Sequence, residues 1–148
     1  MGFGESIRTV LKQKYATFSG RASRSEYWWF QLFYWLVLLA FGVVFGILMA
    51  LFDRGEGFSA VYLIAIIPAA IFMLALIIPI LALQIRRFHD YNLSGWWYLL
   101  LVVLGFIPYL GILASIAILV ISVLKGTDGP NKFGGDPLRP EATADVFA

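Results

Sequence analysis

The charged positions of this chain leave three long gaps: none falls between Glu26 and Asp53, none between Glu56 and Arg86, and none between Asp90 and Lys125. Each gap exceeds the roughly 20 apolar residues that cross a bilayer core about 30 Å thick. The pattern therefore predicts an all-α fold, a small polytopic transmembrane helix bundle. Residues 1–22 form an N-terminal interfacial segment, 23–124 the bundle, and 125–148 a turn-rich polar tail. In the first segment Phe3, Ile7, Val10, Leu11 and Phe18 recur at helical spacing, with Arg8, Lys12 and Lys14 among them. That predicts an N-terminal amphipathic helix, either lying on the membrane surface or packed on the bundle.

Ser23-Arg24-Ser25-Glu26 fits a capping box, in which Ser23 accepts from the amide three residues on and Glu26 reaches back. The first membrane helix is accordingly placed from Arg24 to about Phe52. Along it Gly42, Gly46 and Ala50 recur every fourth residue, a stripe without bulk where another helix, of this chain or of a second copy, can approach. Asp53-Arg54-Gly55-Glu56-Gly57 reads as a polar turn and Phe58 to Gln84 as the second helix, bent by Pro68 and Pro79. The third run, Trp96 to Leu124, would be roughly 43 Å long as a straight helix, too much for the bilayer even with tilt. It is expected to break at Gly105–Gly111, around Pro108, which disfavours helix at Ile107. Either the run turns back as a hairpin, giving four membrane segments, or it bends and continues, giving three.

Basic residues favour the hairpin. Cytoplasmic segments carry an excess of Lys and Arg. With the N-terminus and the tail both cytoplasmic, ten basic residues lie inside against one outside. Trp28, Trp29, Trp35, Trp96 and Trp97 then all lie near that interface, as amphipathic anchors do. No cleavable signal is expected, because the first apolar run starts near Tyr27 and is too long for a signal-peptide core.

Composition agrees with the pattern: the chain is 61% hydrophobic and 14% charged, against about 45–50% and 25% in soluble domains. The net charge of +2 gives no sign of a nucleic-acid partner. With no cysteine and one histidine, no nucleophilic triad suggests itself, and His89 with Asp90, adjacent in sequence, makes a poor start to a metal site. No metal or cofactor is expected.

The polar chemistry collects at Arg21, Arg24, Glu26, Arg86, Arg87, His89 and Asp90. Guanidinium groups match phosphate with paired donors, so these residues are read as a cluster that either binds an anionic phospholipid headgroup or pairs internally. Asp90 is within helical reach of Arg86 and Arg87, and Glu26 can meet an arginine across a helix interface. The expected role is non-enzymatic, structural or regulatory, with membrane lipids as partners and homo-oligomerisation open. The alternatives are a small oligomeric transporter or channel and, less favoured, a membrane-bound enzyme acting on lipid headgroups.

Three blocks carry a family resemblance: Phe18-Ser19-Gly20-Arg21-Ala22-Ser23-Arg24-Ser25-Glu26-Tyr27-Trp28; Arg86-Arg87-Phe88-His89-Asp90 through Ser94-Gly95-Trp96-Trp97; and Gly126-Thr127-Asp128-Gly129-Pro130-Asn131-Lys132-Phe133-Gly134-Gly135-Asp136-Pro137. In this order they resemble the bacterial inner-membrane proteins grouped under domain of unknown function DUF805. The resemblance implies a bacterial cytoplasmic-membrane location and no particular activity.

Overall fold

The computed structural model describes residues 1–52 and 62–139. These residues form α1 (Phe3–Arg8), continued as a π-helical turn over Thr9–Gln13, then α2 (Arg24–Phe52), α3 (Leu63–Asp90), α4 (Gly95–Leu104) and α5 (Leu110–Val123). The expected membrane helix bundle is what is found. The turn read at Asp53–Gly57 lies outside the described residues.

The N-terminal helix packs against the bundle. Ser6, Thr9 and Val10 are buried, the Ser6 hydroxyl donates to the Glu26 carbonyl at 2.6 Å, and the Phe3 ring meets Trp29 edge-on. The helix stops at Gln13, short of Phe18, because the chain turns to place Tyr15 against α3. There the Tyr15 hydroxyl donates to the carbonyl of Ala75. Ala75 lies four residues before Pro79, and proline has no N–H to close that helical bond. Tyr15 thus satisfies a carbonyl that the Pro79 position within α3 releases.

α2 starts at Arg24 as expected, but only half of the capping box forms. The Glu26 amide donates to the Ser23 hydroxyl at 3.2 Å, whereas the Glu26 carboxylate turns to Arg86. α3 runs six residues past the expected end at Gln84, to Asp90. It ends in a Schellman motif: the Leu93 amide donates to the Phe88 carbonyl and the Asn92 amide to that of His89, both at 3.0 Å. Asn92 takes the left-handed conformation, φ 61°, that this motif requires and asparagine tolerates. The extension carries Arg86, Arg87, His89 and Asp90 on a rigid helix rather than on a loop. Ser94 then caps α4, accepting from the Trp96 amide at 3.5 Å.

The third run breaks where expected and turns back. α4 and α5 pack against each other, and the tail after α5 rejoins the end of α3, the Thr127 amide donating to the Asp90 carbonyl at 2.8 Å. A β-carbon at Gly111 would stand 2.6 Å from the Gly105 carbonyl oxygen, so the tightness of the turn depends on a glycine there. The core is small and lies at one end of the bundle. Val10, Ala22, Tyr27, Phe30, Leu76 and Leu83 form its centre, joining α1, the start of α2 and the second half of α3. Beyond it α2 and α3 touch through Phe41 with Phe72 and Phe45 with Tyr62, while most of their apolar surface faces outward.

Candidate functional site

Asp90, the last residue of α3, is the hub of a buried polar elbow. One carboxylate oxygen accepts from Arg21 Nε at 2.9 Å and the other from Arg87 Nη1. Both arginines and the aspartate are at least 95% buried. Charges so far from water persist only when paired and hydrogen-bonded, and the remaining guanidinium donors go to backbone carbonyls. Arg21 Nη1 donates to Gly129 at 2.6 Å and Nη2 to Thr127 at 2.5 Å. Arg87 reaches Ser122 at 3.2 Å, Ala22 at 3.3 Å and Leu124. Ser122 and Leu124 stand at the C-terminal end of α5, where carbonyls lack helical partners and the helix dipole favours a cation. Arg87 therefore caps α5 from the side, while Arg21 ties down the tail.

A second pair lies alongside: Arg86 Nη1 meets Glu26 Oε1 at 2.5 Å, both side chains buried, which joins the first turn of α2 to α3. Arg86 Nε and Nη2 meet no acceptor among the described residues. The backbone repeats the junction, the Ala22 amide donating to the Arg86 carbonyl at 3.0 Å. Nearby, Gln84 donates to the Ser122 hydroxyl at 3.1 Å, bringing α5 into the same contact.

His89 Nδ1 donates to the Gly20 carbonyl at 3.1 Å, and its ring stacks flat on Phe133, centroids 3.9 Å apart. The tail closes over it, with Asn131 Nδ2 donating to the His89 carbonyl at 2.9 Å and to the Thr127 hydroxyl at 2.8 Å. Asp136 holds the far side of the strap. The Leu138 amide first, then the Gly129 amide and the charges of Arg21 and Arg139, hold its carboxyl below the usual range against the opposing effect of burial. Among the described residues no three His, Asp or Glu side chains come together to hold a metal ion.

Of the seven residues expected to cluster, six meet in this elbow and one stands apart. Arg24 is exposed and has no carboxylate partner among the described residues. It heads a groove of ≈ 500 Å³ whose other walls are Ser25, Trp28, Val123 and Leu138. Lys125, nearby, is held by Asp128 at 2.7 Å on the exposed rim. The Gly42 and Gly46 positions face outward, with nothing within 4 Å of where a β-carbon would lie. Among the described residues, then, this part of the stripe makes no close helix contact.

Uncharged members of the elbow lay outside the seven residues expected to cluster: Ser6, Gln84 and Ser122, with Gly126 and Thr127, which were read only within the third block of the resemblance. Gly126 is the most constrained, since a β-carbon there would lie 1.9 Å from an Asp90 carboxylate oxygen. The density of glycine, asparagine and aspartate over residues 126–136 was the available signal, for it marks successive turns that can wrap around a cation.

Comparison with known proteins identifies the family. The family model described as a protein of unknown function, DUF805, matches residues 15–135, an interval that holds every residue of the elbow except Ser6 and Asp136. Inner membrane protein YhaI of Escherichia coli K12 is 38% identical over 129 residues, covering 87% of this chain and 92% of its own. Inner membrane protein YhaH of the same strain is 36% identical over 128 residues, covering 86% and 92%. No solved structure matches.

Proposed function

The chain belongs to the DUF805 family, and from that premise we propose that it is a non-enzymatic, multi-pass protein of the bacterial cytoplasmic membrane that binds an anionic phospholipid headgroup at Arg24. The relatives' names supply the membrane. The basic residues supply the orientation, N-terminus and tail on the cytoplasmic side. The observation that carries the ligand is the division among the arginines. Arg21, Arg86 and Arg87 are buried against protein acceptors, while Arg24 is exposed at the head of an apolar groove. A guanidinium over Trp28, Val123 and Leu138 suits a phosphate above an acyl chain. The elbow is then the structural part, orienting the helices, and Arg24 is the part that meets lipid.

The test is lipid analysis of protein extracted with its surrounding membrane. Anionic phospholipid is expected several-fold enriched over bulk membrane, and Arg24→Gln is expected to abolish the enrichment while leaving thermal stability unchanged. Wild-type protein carrying lipid in the bulk proportion would overturn the reading.

A further inference from the structure

The hairpin α4–α5 has a length that the rest of the bundle does not share. At about 1.5 Å per residue its arms are roughly 15 Å and 21 Å long, whereas α2 and α3 exceed 40 Å. A bilayer core is about 30 Å thick, so neither arm crosses it unless the membrane thins severely. Thinning carries a cost for every ångström of mismatch. Yet the hairpin is uncharged from Trp96 to Leu124 and apolar at its tip, where Phe106 and Tyr109 are each 85% exposed. Water is a poor solvent for such a tip.

The backbone of the turn decides what surrounds it. Irregular backbone at membrane depth is ordinarily kept away from lipid, because every polar group left unpaired there is costly, so a turn among acyl chains has to pair nearly all of its own groups. The amides of Gly105, Phe106, Ile107, Leu110 and Gly111 donate within the turn, to Leu101, Val103, Leu104, Pro108 and Ile107 at 2.8–3.2 Å, which leaves the Tyr109 amide as the one N–H of the turn with no partner among the described residues. Pro108 has no donor to satisfy. The Ser115 hydroxyl turns back to the Gly111 carbonyl at 2.8 Å. At the base the situation is reversed: Trp96 and Trp97 are exposed and stand beside the polar elbow, as side chains at a membrane surface do. Gly95 pins the base, for a β-carbon there would come within 2.7 Å of the Ile85 side chain.

We propose that α4–α5 is a single-leaflet insertion: it enters the membrane from the elbow side, reaches about the midplane with Phe106 and Tyr109 among acyl chains, and returns to the same surface. The protein then presents four helices to one leaflet and two to the other, a wedge whose wide end is the elbow. This rests on the membrane location and is independent of the headgroup at Arg24.

The chain has no native cysteine, so single spin labels report depth cleanly. Phe106→Cys, Ile112→Cys and Trp97→Cys are labelled in liposomes of zwitterionic and anionic phospholipid, and collision rates with oxygen and with a water-soluble nickel chelate are compared. The ratio of oxygen to nickel collisions is expected to be at least tenfold higher at 106 than at 97, with 112 between them. A label at 106 that meets nickel as freely as one at 97 would put the tip in water, on either side, and overturn the insertion. Exclusion of both reagents from 106 and 112 would mean that protein covers the tip, and would overturn it equally. Ile112→Cys reports independently if Phe106→Cys does not fold.

Discussion

The two ends of the bundle are held together by different physics. At the elbow, five charged side chains are buried in two ion-paired groups, Arg21 and Arg87 on Asp90 and Arg86 on Glu26, and nearly every connection is a hydrogen bond with one acceptable geometry. Along the far halves of α2 and α3 the contacts are apolar and sparse, with Leu51, Ile64, Ile71 and Leu74 each more than 60% exposed. Lipid tails are as apolar as leucine, so the membrane gives no hydrophobic drive to press these helices together. The comparison teaches that specificity in this protein is concentrated at one end, where charges leave no alternative partners, and that the arms are adaptable to what surrounds them.

The sharpest way to break that contrast is Asp90→Ala. It leaves Arg21 and Arg87 as buried uncompensated cations, and removing one partner of a buried pair costs about 3–5 kcal/mol. Loss of folded protein in detergent, read by thermal unfolding or size exclusion, is expected, whereas Leu74→Ala on the exposed arm should leave the midpoint nearly unchanged. Gly126→Ala should come next: its methyl group would displace the strap from Asp90, destabilising by about 1–3 kcal/mol, and limited proteolysis after Leu124 should report the released tail. Tyr15→Phe should cost less, about 0.5–1.5 kcal/mol, by returning the Ala75 carbonyl to an unpaired state. A double variant, Tyr15→Phe with Pro79→Ala, should recover much of that loss, because alanine restores the helical donor.

The smallest expected effect is one of pH. Asp136 has a lowered folded pKa, so its share of stability is fully present above the ordinary carboxylate value near 3.9 and disappears as pH falls through the folded value. Proteolysis of the tail should therefore be flat from pH 8 to 5 and rise only under acid conditions. A rise between pH 7 and 5 would instead implicate His89, the one group of the elbow whose ordinary pKa lies in that window, and would show the strap to be held chiefly through the stack on Phe133.

Much of this was written in one dimension. Three charge-free runs announced the helices, Pro108 between two glycines announced the break, and Ser23 marked the start of α2, because each signal acts through the backbone within a few residues. The reach of α3 to Asp90 was missed at Gln84, since membrane hydrophobicity ends there while helical hydrogen bonding does not. The reciprocal half of the capping box was also misplaced: Glu26 has a stronger partner in Arg86, sixty residues away, which no local rule weighs. Which of the two arginines within reach pairs with Asp90, and that Arg24 alone among the seven residues expected to cluster is exposed, only the tertiary structure decided. Burial sets those outcomes, for a guanidinium chooses protein carbonyls over phosphate only when the fold has already taken it out of water.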